Sequence, residues 1–153
     1  MAGWKSWKEP KLAFDDSKKA DYWQEYAFAL MLMNRDEEMR QWAKKAAPWN
    51  ADAEIIYAVY MMSKAAQAKD VSLFPEINEH LLHAVNSPQK KRKTLEGAAY
   101  STLAENARVG FGMEKNMEQS YCWICKAAEL GYEEAQKELS RYHKKLFGGY
   151  SYR

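Results

Sequence analysis

Trp42-Ala43-Lys44-Lys45-Ala46-Ala47 and Trp123-Ile124-Cys125-Lys126-Ala127-Ala128 are two copies of one phrase, and their reading decides the fold. The two tryptophans stand 81 positions apart, and so do the two Lys-Ala-Ala triplets. Ala53 and Ala135 repeat at 82, as do Tyr60 and Tyr142. A weaker echo, His83-Ala84-Val85, falls about halfway between. A period of roughly 40 residues is that of stacked helical hairpins, none of which can cover its own apolar face alone.

The rest of the chain agrees. Its 153 residues suffice for one domain with a substantial core. Hydrophobic residues make up 47%, which is too apolar for a disordered chain despite 29% charged residues. A formal net charge of +2 makes no case for nucleic acid or membrane. No apolar run is long enough to span a bilayer, and Met1-Ala2-Gly3-Trp4-Lys5-Ser6-Trp7-Lys8 has no apolar leader core, so a cytoplasmic protein is expected. Strand signals are nearly absent, because β-branched residues are sparse and do not alternate with polar ones.

Seven helices are predicted. The first spans 16–33, with Tyr22, Tyr26, Ala27, Leu30 and Met33 at three-to-four spacing. Asn34, with Glu37 three positions on, reads as the cap of a second helix ending near Ala47. A third runs 51–67 through Ala53, Ile56, Tyr57, Tyr60 and Met61. After an irregular stretch, Pro75 opens a fourth with Ile77, Leu81, Leu82 and Val85. The fifth starts between Ser87 and Thr94 and ends near Val109, before the loop 110–115. Asn116 caps the sixth, with Gln119 at the capping-box position, and Gly131 ends it. The last is expected from Glu133 to Phe147, closed by Gly148-Gly149. This divides the chain into a Lys-rich aromatic lead (1–15), a helical-repeat domain (16–147) and a Gly/Tyr tail (148–153). Ala46, Ala47, Ala53, Ala99, Ala127, Ala128 and Ala135 allow helices to approach closely, while Trp42, Tyr57 and Trp123 fill the space beside them.

Ala99-x3-Leu103, then Gly110-x-Gly112, then Ser120-x2-Trp123-x2-Lys126-Ala127-Ala128-Glu129-Leu130-Gly131 resembles the Sel-one-like repeat, a relative of the tetratricopeptide repeat. The likeness covers about residues 20–147 and is strongest over 95–142; the other copies keep little beyond Ala53-x3-Tyr57, Ala135-x3-Leu139 and the first Trp/Lys-Ala-Ala. It implies an all-α fold, a short right-handed α-solenoid of about 3.5 hairpins. It also implies a scaffold or adaptor with no chemistry of its own, of a kind frequent in bacteria; the small size of the chain fits an inhibitor or immunity-type binder of another protein as well. The motif residues are packing residues and identify no partner.

Few side chains suggest chemistry. Cys122-x2-Cys125 has the spacing of a redox pair or half a zinc site, but Cys122 lies more than one turn inside a helix and no second cysteine pair exists. Surface cysteines are the simpler reading. His80 and His83 share one side of a helix near Glu76 and Glu79, without an obvious third ligand. Lys90, Lys91, Arg92 and Lys93 form a basic run that reads either as a solvated helix start or as a weak contact for phosphates or an acidic partner. No nucleophile and base stand in a recognisable arrangement, and no enzyme, cofactor or small-molecule substrate is expected.

The aromatic ends are the other candidates. Trp4 and Trp7 precede the first helix, Tyr22, Trp23 and Tyr26 crowd it, and Tyr150 and Tyr152 follow the last. Such residues either cap the open ends of the stack or anchor a partner protein. The expected contact surface is the concave side lined by the first helix of each hairpin, together with these termini.

Overall fold

A computed structural model describes residues 14–153, with side chains from Lys18 onward. Trp4 and Trp7, with the rest of the lead up to residue 13, lie outside the described residues. Seven helices follow one another: α1 (Phe14–Leu32), α2 (Asp36–Ala46), α3 (Ala51–Gln67), α4 (Phe74–Asn86), α5 (Lys93–Val109), α6 (Met117–Glu129) and α7 (Glu133–Leu139). A 3-10 turn, Val71–Leu73, leads into α4. The chain closes with a two-stranded antiparallel hairpin, β1 (Tyr142–Lys144) and β2 (Tyr150–Tyr152). The fold is all-α apart from that hairpin.

Local chemistry sets most boundaries. Asn116 Oδ1 accepts the Gln119 amide at 3.0 Å, and Asn50 Oδ1 accepts that of Ala53 at 3.0 Å, so both caps are side-chain caps. Gly131, at φ +85°, ends α6 with Gly131 N donating to Ala128 O and Tyr132 N to Ala127 O. This is the six-to-one and five-to-two bonding of a left-handed C-terminal cap. Asn34 corrects the sequence reading. At φ +55° it takes the same role at the end of α1, with Asn34 N to Met31 O and Arg35 N to Leu30 O. Arg35 precedes α2 with no side-chain cap bond, and Asp36, Glu37 and Glu38 supply the negative charge its N-terminus favours.

Helices pack as consecutive hairpins, α1 on α2, α3 on α4, α5 on α6, while α1, α3 and α5 lie side by side. The small residues sit where backbones meet: Ala46, Ala53, Ala99, Ala127 and Ala135 are fully buried, and Ala47 nearly so. Ala128 is only half-buried. Trp42 and Trp123 are partly buried against the main core, which includes Leu30, Ile55, Tyr57, Ile77, Leu81 and Leu103. A smaller cluster, Ala104, Ile124, Ala127 and Ala135, joins α5, α6 and α7. Between α4 and α5 the buried amides of Asn78 and Asn106 bond at 2.7 Å, and Asn78 Nδ2 also reaches Phe111 O at 2.9 Å.

The C-terminal end differs most from expectation. The helix predicted to Phe147 stops at Leu139, and residues 148–153 are no separate tail but the turn and second strand of the hairpin. Tyr142 pairs with Tyr152, and Lys144 with Tyr150. The turn Leu146-Phe147-Gly148 carries Gly148 at φ +97°, a conformation glycine adopts without steric cost. Tyr150 stacks on Tyr121 of α6 at 4.1 Å between ring centroids. Tyr142 Oη and Ser120 Oγ bond at 2.7 Å. These packed rings take the place of about two further turns of helix.

Candidate partner-binding groove

At the end of α1 the run Ala29-Leu30-Met31-Leu32, followed by Met33, holds more apolar residues than one buried stripe uses. Leu30 faces the core. Phe28, Met31 and Leu32 turn instead toward α3, where Ile55, Ile56 and Val59 meet them. Met39 of α2 and Leu95 of α5 complete an open groove of about 440 Å³. Leu32 at its lip is exposed. Asp36, Ser63, Lys64, Gln67 and Thr94 give it a polar margin. The one phenol in the wall, Tyr60, donates to Glu37 Oε1 at 3.0 Å, and burial, together with that bond, raises its pKa. The floor therefore offers mainly apolar contact area.

The predicted aromatic and basic residues take different fates. Tyr22 is 77% exposed, on the face of α1 opposite the buried Ala20, Gln24 and Ala27. Tyr26 lays its ring edge-on to Trp42 at 5.2 Å, and Lys45 Nζ sits 4.4 Å above Trp23, so both rings are partly engaged within the fold. Tyr152 is held between the Arg108 and Arg141 guanidinium groups at 4.0 and 4.2 Å, and its hydroxyl donates to Glu138. Tyr150 and Tyr152 thus belong to the terminal cap.

The basic run is not a uniformly solvated helix start, which corrects that expectation. The Lys91 side chain is 6% exposed and pairs with Glu96 at 3.6 Å, donating also to the Ser87 carbonyl at 2.8 Å. Arg92 bonds Glu25 at 2.5 Å, lies 4.1 Å over the Phe28 ring, and donates its backbone N–H to Asp52 at 3.1 Å. Burial raises the Asp52 pKa, and the Arg92 amide and charge offset part of the rise. Lys90 and Lys93 alone of the four are exposed.

Cys122 is exposed and Cys125 half-exposed, both as free thiols inside α6. The two histidines do have a common partner, but it is neither Glu76 nor Glu79. Glu54 of α3, buried, meets His80 Nδ1 at 2.9 Å and His83 Nδ1 at 2.8 Å. His80 is buried, whereas the His83 side chain is 76% exposed. Among the described residues no group of three or more His, Cys, Asp and Glu side chains is placed to hold a metal ion. Nor is any described helix long and apolar enough to cross a membrane.

Sequence reasoning missed Phe28, Met31, Leu32, Val59 and Leu95 as site residues, although the apolar surplus after Ala29 was a usable signal. Glu54 gave no signal, since one carboxylate in a helix normally faces water. Comparison with family models, with curated proteins and with solved structures finds no match for this chain.

Proposed function

We propose that this protein is a non-enzymatic protein-interaction module of the Sel-one-like repeat type, acting as an adaptor or as an inhibitor that occupies another protein. The observation that carries the reading is the open apolar groove across α1, α2, α3 and α5. It lies on the side formed by the adjacent odd-numbered helices, as expected for the inner face of a hairpin stack. Its occupant is an apolar segment of a partner protein, such as one face of an amphipathic helix. Two features favour that over a small molecule. The apolar lining reaches exposed Leu32, which is followed in the chain by exposed Met33, and among the described residues the buried polar side chain in the wall, Tyr60, already spends its hydroxyl on Glu37.

Affinity capture from native cells, done in parallel with wild-type protein and two groove variants, tests the reading. Leu32→Asp places a charge on the lip, and Ser63→Trp fills the margin. Both positions are exposed, so melting temperatures should match the parent. One stoichiometric protein captured by the parent and reduced about tenfold or more by either variant is the expected result. Equal capture by all three proteins overturns the groove as the docking surface.

A further inference from the structure

The two most exposed large hydrophobic residues of the described chain are neighbours. Leu146 is 90% exposed and Phe147 is 98% exposed. They form the tip of the β1–β2 hairpin, which is tied down behind them by Lys145 N to Gly149 O at 3.0 Å and by the packing of Tyr150 on Tyr121. A rigid base with a bare apolar tip is not the arrangement of a solvated turn, which is normally built from polar residues and glycine. Lys144 and Lys145, directly before the tip, are exposed.

At the base of the tip a slot of about 490 Å³ opens between the hairpin, the end of α5 and the start of α6. Three cations line it, Arg108, Lys115 and Lys145, and no carboxylate does. Arg108 is steadied from outside by Glu105 at 3.8 Å and by the Tyr152 ring. Met117 at the α6 N-terminus also lines the slot, so the positive end of that helix adds to the same field.

We propose that the hairpin tip docks this protein on an anionic phospholipid surface, Leu146 and Phe147 entering the interface while Lys144, Lys145, Lys115 and Arg108 meet the headgroup phosphates. This goes beyond the groove reading and departs from the expectation of no membrane contact drawn from overall charge. The cations are local to one end, where a net charge of +2 hides them. Shape selects lipid over protein. The tip is convex, and a bilayer interface accepts it without a complementary pocket. Phosphate and carboxylate groups lie just above the acyl region, matching cations set just behind an apolar tip.

Co-sedimentation of the full chain with lipid vesicles tests this. Vesicles of phosphatidylcholine with about 30% phosphatidylserine should retain the protein at low salt, and pure phosphatidylcholine should not. Leu146→Ser with Phe147→Ser should lower the bound fraction about fivefold. Lys144→Glu with Lys145→Glu should remove the preference for anionic lipid. All four side chains are exposed, so each variant should melt with the parent, and a circular-dichroism melt of each confirms it. Three results overturn the proposal: no retention on anionic vesicles, retention unchanged by the Leu146/Phe147 pair, or tighter binding of a labelled decaglutamate peptide than of the vesicles. The last would assign the slot to an acidic protein segment. None of these outcomes bears on capture through the groove, which lies on other residues.

Discussion

Gly97 shows how one residue can be fixed by its tertiary neighbour. It stands in the interior of α5, where glycine is about 1 kcal/mol worse than alanine for the helix itself. A Cβ built there would lie 2.8 Å from Tyr132 Cβ. The Tyr132 ring is half-buried, and burial together with its bond to Glu134 pushes the phenol pKa up to about 12. Gly97→Ala is therefore expected to destabilise by about 1–3 kcal/mol despite its better propensity, read from urea denaturation. Stabilisation would show that Tyr132 moves aside freely. Glu54 is the other residue whose role is tertiary. Removing it by Glu54→Ala leaves His80 buried without that carboxylate, at an expected loss of about 1.5–3 kcal/mol. His83→Ala, on an exposed side chain, should cost under about 1 kcal/mol by the same measurement. At this scale the caps Asn116 and Gly131 were legible from sequence, because capping is decided within four residues. Asn34 was not read correctly, since asparagine serves either end of a helix and only the backbone angle distinguishes them.

Among elements, the terminal hairpin was the one mistaken for helix. Its signals are present in hindsight, with Tyr-x-Lys and Tyr-x-Tyr flanking Gly148-Gly149. They were outweighed by the helical spacing that continues from Ala135 through Leu139. What decides is the partner surface. Tyr121 and Ser120 on α6 give Tyr150 and Tyr142 somewhere to pack, which a continuing α7 would not use. Tyr150→Ala should therefore loosen the hairpin more than it destabilises the whole fold, since a stacked aromatic pair is worth about 0.5–1.5 kcal/mol beyond its buried area. Amide hydrogen exchange would show this as lost protection at Lys145 and Arg153, whose N–H groups bond Gly149 O and Arg141 O across the hairpin. Unchanged protection would mean that the turn holds itself. The groove is also an element-level feature. Its residues come from four helices, and no one of those helices carries enough of it to be recognised alone.

For the whole molecule, Arg92 ties three hairpins together: just before α5, it donates its backbone N–H to Asp52 of α3 and its guanidinium to Glu25 of α1. Burial holds the folded-state pKa of Asp52 above the ordinary 3.8. The folded chain thus binds this proton more readily than the unfolded one. The associated stability is full below the ordinary carboxylate range and is lost as pH rises through the raised value. Asp52→Asn keeps an oxygen for the Arg92 amide and removes the titration. The melting temperature of the variant relative to the parent is expected to climb as pH goes from about 4 to 7. A difference that stays flat or falls would mean that the charge of Arg92, rather than desolvation, sets the balance at this site.

The all-α class, the seven helices of the described residues (the last of them ending earlier than expected) and most of the close-packed alanines followed from sequence alone. Periodicity, capping and helix-interior alanines act over a turn or two, and a 153-residue chain rich in them has few competing solutions. The groove, the Glu54–His80–His83 contact, the internal use of Lys91 and Arg92, and the hairpin in place of the last helical turns were decided only by tertiary structure. Each depends on which side chains from distant helices meet: Glu54 and His83 are 29 positions apart, and Arg92 and Glu25 are 67. Local propensity is silent at those separations. Burial and charge pairing act only once the hairpins have stacked.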